Sequence, residues 1–179
     1  MAVTQAAANI VDVLVTLNSL LFHDQGLESF AFNIIGNPTL TLVTGTLANG
    51  DIKIINAGGS AWTFSQPAGN TDGAGKTFGY SLDCTGGAGA CTGSPSTLEF
   101  QVDVTGLTPT SFETLTGSSG TTNVDFAANV SANGGACTGM IEAGNGTGQS
   151  MPQTTNSGTP CTRSSAVPEP TSIFNLPAG

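Results

Sequence analysis

The stretch Thr97–Val104, TLEFQVDV, alternates strictly between apolar and polar side chains. Leu98, Phe100, Val102 and Val104 fall on one side, and Thr97, Glu99, Gln101 and Asp103 on the other. Successive side chains of an extended chain point to opposite faces, so this period predicts a β-strand with one face on a core and one toward water. NVDFAANV repeats the pattern, predicting Val124, Phe126, Ala128 and Val130 inward with Asp125 and Asn129 outward. ESFAFNI places Phe30, Phe32 and Ile34 on one side, and TFGYSLD does the same with Phe78, Tyr80 and Leu82. TLTLV, DIKII, AWTF and the opening NIVDVLVTL read as further strands.

Between these runs stand GNP, ANGD, NAGG, QPAGNTDGAG and TGSSGTT, which are turn and loop compositions. Asn49-Gly50 predicts a type I′ hairpin, because both central positions of that turn need positive φ. Short strands punctuated in this way imply an all-β fold, an antiparallel β-sandwich or jelly roll of about 8–10 strands with little or no helix. LNSLLFHDQGLESF has room for a single helical turn at most.

A chain of 179 residues suits one domain with a sizeable core. From Asn133 onward nearly every residue is small, polar or proline. The expected organisation is therefore one β-sandwich domain over 1–161, ending in a strand near 137–142 and a long loop, followed by an extended tail over 162–179. Charged residues make up only 8% of the chain, so Thr, Ser, Asn and Gly must supply most of the polar surface.

The net charge of −9 rests on 12 acids against Lys53, Lys76 and Arg163. Nucleic-acid binding needs clustered cations that displace phosphate counterions, and three scattered ones exclude it. No run of about 18 apolar residues is present, so no membrane-spanning helix is expected. The N-terminal segment lacks a basic start and carries Asp12 within its apolar stretch, making it a poor signal peptide. The expectation is a mature form to which Met1 has been added or left in place.

Cys84, Cys91, Cys137 and Cys161 allow three disulfide pairings, and their spacing does not choose among them. Cys84 with Cys91 would close CTGGAGAC, and Cys137 with Cys161 would then staple the polar stretch between them. Zinc is disfavoured because no CxxC pair exists and His23 is remote in sequence. Two disulfides place the chain in an oxidising compartment.

Few residues offer chemistry. Gly75-Lys76-Thr77 ends like a phosphate-binding loop, but Asn70 stands where that motif needs glycine, and a strand pattern follows instead of a helix. His23, the one histidine, has no serine in a nucleophile-elbow context and reads as a half-buried strand-end or turn residue. Glu99 and Asp103 fall on outward strand positions, which suits solvation rather than paired-carboxylate catalysis. Catalytic residues are not expected, and neither is a cofactor, apart from calcium held by Asp72 with Asn70 or by Asp24 with Glu28. Trp62 and Tyr80, the chain's two amphipathic aromatics, sit in strand patterns and are expected in the core.

The tail carries the one recognisable motif. Val167-Pro168-Glu169-Pro170-Thr171-Ser172 resembles the start of the PEP-CTERM sorting signal of exopolysaccharide-producing Gram-negative bacteria. In that family the motif precedes a transmembrane helix and a basic cluster, and exosortase processes it during export. Here only IFNLPAG follows. The resemblance implies an extracellular or cell-surface location. With the low charge and the cysteines, it leads to the expectation of a non-enzymatic structural protein of a biofilm matrix, surface layer or filament. A carbohydrate-binding module that recognises exopolysaccharide is the alternative. Ile173, Phe174 and Leu176 are expected to lie in a groove or on a sheet edge, and Ile10–Leu17 is a candidate strand for donation to another subunit.

Overall fold

The computed structural model describes residues 1–17, 20–23, 29–68, 70–71, 76–85, 91, 95–112, 125–132, 137–143 and 159–160. In chain order its strands are β1 (Ala2–Ala7), β2 (Ile10–Thr16), β3 (Leu21–Phe22), β4 (Phe30–Phe32), β5 (Thr41–Leu42), β6 (Asp51–Asn56) and β7 (Trp62–Ser65). They continue with β8 (Asn70–Thr71), β9 (Lys76–Thr77), β10 (Tyr80–Cys84), β11 (Thr97–Asp103), β12 (Phe126–Ala132), β13 (Cys137–Ala143) and β14 (Thr159–Pro160). The one helical element among the described residues is a 3-10 turn at Pro109–Phe112.

The first sheet has the order β1-β2-β11-β6-β5, and the second β14-β13-β12-β4-β10-β7, with β3 also on β12. All pairings are antiparallel except β5 with β6 and β13 with β14. The two sheets pack face to face as an all-β sandwich. Val11, Val13 and Val15 from β2, Leu98, Phe100 and Val102 from β11, and Ile52 from β6 form the inner face of the first sheet. Phe30, Phe32, Tyr80, Leu82, Phe126 and Val130 answer from the second. Phe100 bridges them, with ring centroids 5.9 Å from Phe30 and 5.1 Å from Phe32. Phe112 closes one end of the core against Phe32 and Phe126. Burying such a ring contributes about 1.5–3 kcal/mol each, so this aromatic layer supplies much of the drive for folding.

The alternation of β11 appears as read: the inward residues are fully buried, and Glu99, Gln101 and Asp103 lie half-buried on the outer face. β2 is paired on one side by β1 and on the other by β11. Ile10–Thr16 is therefore an interior strand and not a segment free for donation. The edge position belongs to β1, whose residues show no alternation that would have announced a strand. Asn9 turns the chain from β1 into β2 at φ +67°, and its carbonyl and side-chain oxygens accept from Val104 N at 3.0 Å and Gly106 N at 2.9 Å.

The second sheet departs from the sequence reading. Asp125 and Asn129, expected outward, are only 4% and 5% exposed. Phe78 does not share a face with Tyr80 and Leu82. It crosses to the opposite side of the sheet and packs with Ala31, Ala68 and Ala127 in a second, smaller cluster. Strand β10 begins only at Tyr80, so the alternation does not extend back through Gly79 to Phe78. Ala68 and Phe78 thus cover the outer face of the second sheet at Ala31 and Ala127, and the described side chains of β4 and β12 are buried on both sides.

The expected Asn49-Gly50 hairpin is also replaced. β5 and β6 run parallel, with Thr41 opposite Asp51 and Leu42 opposite Ile52. A two-residue turn cannot join parallel strands. Only Gly50 takes positive φ, at +90°. Asn49 instead points its Oδ1 at Thr105, accepting from the backbone N at 2.7 Å and from Oγ1 at 3.0 Å. Gly50 N donates to Asp103 O at 2.8 Å. The motif serves as a clasp between loops at one end of the first sheet.

Candidate functional site

Strand β5 ends the first sheet and β7 ends the second. Where these two edges meet, the sandwich opens into a cleft of about 580 Å³ lined by Asn37, Thr39, Leu40, Phe64, Gln66 and Pro67. Three contacts fix its walls. The Gln66 side chain extends from the end of β7 and pairs with the backbone leading into β5 much as a strand would. Its Nε2 donates to Pro38 O at 2.9 Å, and its Oε1 accepts from Leu40 N at 2.8 Å. Tyr80, from β10, donates its phenol O–H to the same Pro38 carbonyl at 2.6 Å. Gly79 N donates to Asn33 Oδ1 at 2.8 Å, and a Cβ on Gly79 would lie 2.8 Å from Asn37 Oδ1. The Asn37 amide thus lies over Gly79 where β10 starts, and a larger residue there would displace that exposed side chain.

The chemistry of the cleft is neutral. No lining residue carries a charge. Phe64 is half-buried and stacks on Tyr80, with centroids 6.2 Å apart and planes inclined by 19°. Pro67 adds further apolar surface, and Leu40 closes the floor from the core. Asn37 and Thr39 are exposed, and their side chains make no hydrogen bond with another described residue. The Tyr80 hydroxyl is not available to a ligand, because the ring is fully buried. Desolvation by that burial pushes its pKa well above the ordinary tyrosine value.

The residues singled out by sequence are distributed elsewhere. Cys84 and Cys91 form a disulfide with Cα atoms 5.4 Å apart, both buried in the main core. Ser29, fully buried, secures it: Cys84 N donates to Ser29 Oγ at 3.1 Å, and the hydroxyl lies 3.0 Å from Cys84 Sγ. Asp83 adds a second tie by accepting from Ser29 N at 2.9 Å, and it also accepts from Ser81 Oγ of its own strand at 3.3 Å. Cys137 lies in β13, but Cys161 and hence the Cys137–Cys161 pairing fall outside the described residues. So do the sorting motif Val167, Pro168, Glu169 and Pro170, the apolar residues Ile173, Phe174 and Leu176, and the calcium candidates Asp24, Glu28 and Asp72.

Trp62 and Tyr80 are core residues, as their strand positions suggested. The Trp62 indole packs edge-on against Phe22 and donates to Ala57 O at 3.0 Å. His23 is buried rather than half-buried, and its backbone N donates to Asn129 O at 3.0 Å. Lys76 lies in β9, which pairs antiparallel with β8, Thr71 standing opposite Lys76 and Asn70 opposite Thr77. Asp51 and Asp103 are cross-strand neighbours on the open outer face of the first sheet, not partners across a cleft. Among the described residues no three His, Cys, Asp or Glu side chains converge in a way that could hold a metal ion. No helix there is long and apolar enough to cross a membrane.

In the sequence Asn37, Gln66 and Pro67 read only as loop punctuation in GNP and QPAG, and Thr39, Leu40 and Phe64 only as strand residues of TLTLV and AWTF. The available signal was that two such loops each place an amide residue directly before proline, Asn37-Pro38 and Gln66-Pro67. Comparison with protein-family models, curated proteins and solved structures finds no match for this chain.

Proposed function

We propose that this protein is a non-catalytic structural component of the cell surface or extracellular matrix of a Gram-negative bacterium, and that it associates with further copies through a sheet edge. The observation that carries this reading is β1. Among the described residues it is a six-residue edge strand, exposed along most of its length, with neither a charge nor a proline in Ala2–Ala7. Edge strands that stay solitary are usually protected by lysine, proline or marked shortening, because their free N–H and C=O groups invite another strand. β1 has no lysine, proline or marked shortening, and the shift between Gln5 and Ala7 blunts it only beside the turn, leaving Ala2–Gln5 regular. The buried Cys84–Cys91 disulfide supports an oxidising compartment, and the resemblance of Val167–Ser172 to a PEP-CTERM signal supports export.

Light scattering and negative-stain imaging of the full chain test this reading. Concentration-dependent dimers, filaments or sheets are expected. Thr4→Lys places a cation on the exposed outer face opposite Asp12, where one copy tolerates it. Two antiparallel β1 strands would then bring like charges together, and association should be lost. A strict monomer at every concentration refutes the assembly.

A further inference from the structure

We propose that the cleft between the β5 and β7 edges is a binding subsite for one residue of a neutral glycan. The reading does not depend on self-assembly, because the cleft and β1 lie at different sheet edges.

Four features converge on an uncharged, hydroxyl-bearing ring. The volume of about 580 Å³ falls within the range of small-ligand sites, about 300–1,000 Å³. The lining offers no cation to hold a carboxylate, sulfate or phosphate and no anion to hold an amine. One half-buried aromatic ring, with the exposed Pro67 beside it, offers apolar surface that suits the C–H face of a pyranose. Asn37 and Thr39 supply an amide and a hydroxyl that no other described side chain or backbone group engages. Each can both donate and accept, which matches the dual character of sugar hydroxyls.

The site is also held ready. Gln66 and Tyr80 converge on Pro38 O, so the segment 37–40 is fixed before any ligand arrives. A glycan would then pay little to order the protein, and the affinity of a single shallow subsite rises accordingly. A proline-rich peptide is the competing occupant, since such segments dock on aromatic grooves. One aromatic ring flanked by two free polar side chains favours the sugar.

The test is a titration of the full-length Thr4→Lys protein, followed by backbone amide NMR, so that loss of assembly and loss of binding are read separately. The probes are cellohexaose, maltohexaose, laminarihexaose and mannohexaose, with an alginate hexamer and a polyproline peptide as contrasts. At about 1 mM, at least one neutral oligosaccharide should shift the amides of Asn37, Thr39, Leu40, Phe64 and Gln66. Phe64→Ala should weaken binding about tenfold or more. Thr39→Ala, an exposed change that leaves the core untouched, should weaken it about threefold. No shift at the cleft with any neutral probe overturns the proposal. So does tighter binding of the alginate or the peptide at these residues.

Discussion

Tyr80 offers a direct measurement of how dry and how fixed the seam between the sheets is. It is the chain's only tyrosine, so phenolate absorbance near 295 nm reports it alone. Its ring is fully buried between Phe32 and Phe64, and its O–H donates to Pro38 O at 2.6 Å. Burial disfavours the phenolate, and a phenolate also could not donate to the carbonyl. The folded-state pKa is therefore raised above the unfolded value of about 10.

The sign follows from proton counts. Above about pH 10 the unfolded chain releases the phenol proton while the folded chain keeps it, so the unfolded state binds fewer protons. The stabilising contribution is fully present below about pH 10 and declines as pH rises toward the folded-state pKa, by about 1.4 kcal/mol per pH unit. In the native protein, absorbance at 295 nm should stay flat through pH 10 and rise only with unfolding. In denaturant it should titrate near 10. Tyr80→Phe should cost about 0.5–1.5 kcal/mol at neutral pH, since Pro38 O keeps its bond from Gln66, and the excess alkaline slope should vanish. If the native phenol titrates reversibly near pH 10 while circular dichroism shows an intact sheet, the buried seam is refuted.

Two further substitutions probe the same framework by urea denaturation. Gln66→Ala removes both bonds to the segment leading into β5 and leaves the part-buried Leu40 N without its acceptor, an expected loss of about 2–3 kcal/mol. A loss below about 0.5 kcal/mol would show that solvent already satisfies that backbone. Replacing Cys84 and Cys91 together by alanine opens a loop with a sequence separation of 7, and should cost about 2.5 kcal/mol by the entropy of loop closure. An unchanged midpoint would show that core packing, with the hydrogen bonds that join Ser29 to Asp83 and Cys84, holds Cys84 in place without the disulfide.

Wherever one face of a strand meets water, the residues announced the structure. The patterns of β2 and β11 place Val13 and Phe100 in the core because alternation records the contrast between apolar and aqueous surroundings across a single strand. β12 misled for the same reason. Both its faces are covered, so Asp125 and Asn129 are buried polar residues that no local pattern separates from exposed ones. β1 leaves no such mark in the sequence, because an edge strand exposed on most sides has no contrast to record. The Asn49-Gly50 turn was misread because its amide answers Thr105, a residue far along the chain.

The cleft lies wholly in this second category. Asn37, Thr39 and Leu40 meet Phe64, Gln66 and Pro67 only because β5 and β7 finish their respective sheets on the same side of the sandwich. Local alternation, turn composition and charge depend on neighbours a few residues away, and from these the chain by itself determined an all-β, weakly charged sandwich. Which strands end the sheets, what covers their outer faces and where a neutral cleft opens depend on contacts between distant segments. Those contacts follow from the joint packing of the whole core, and only the tertiary structure decided them.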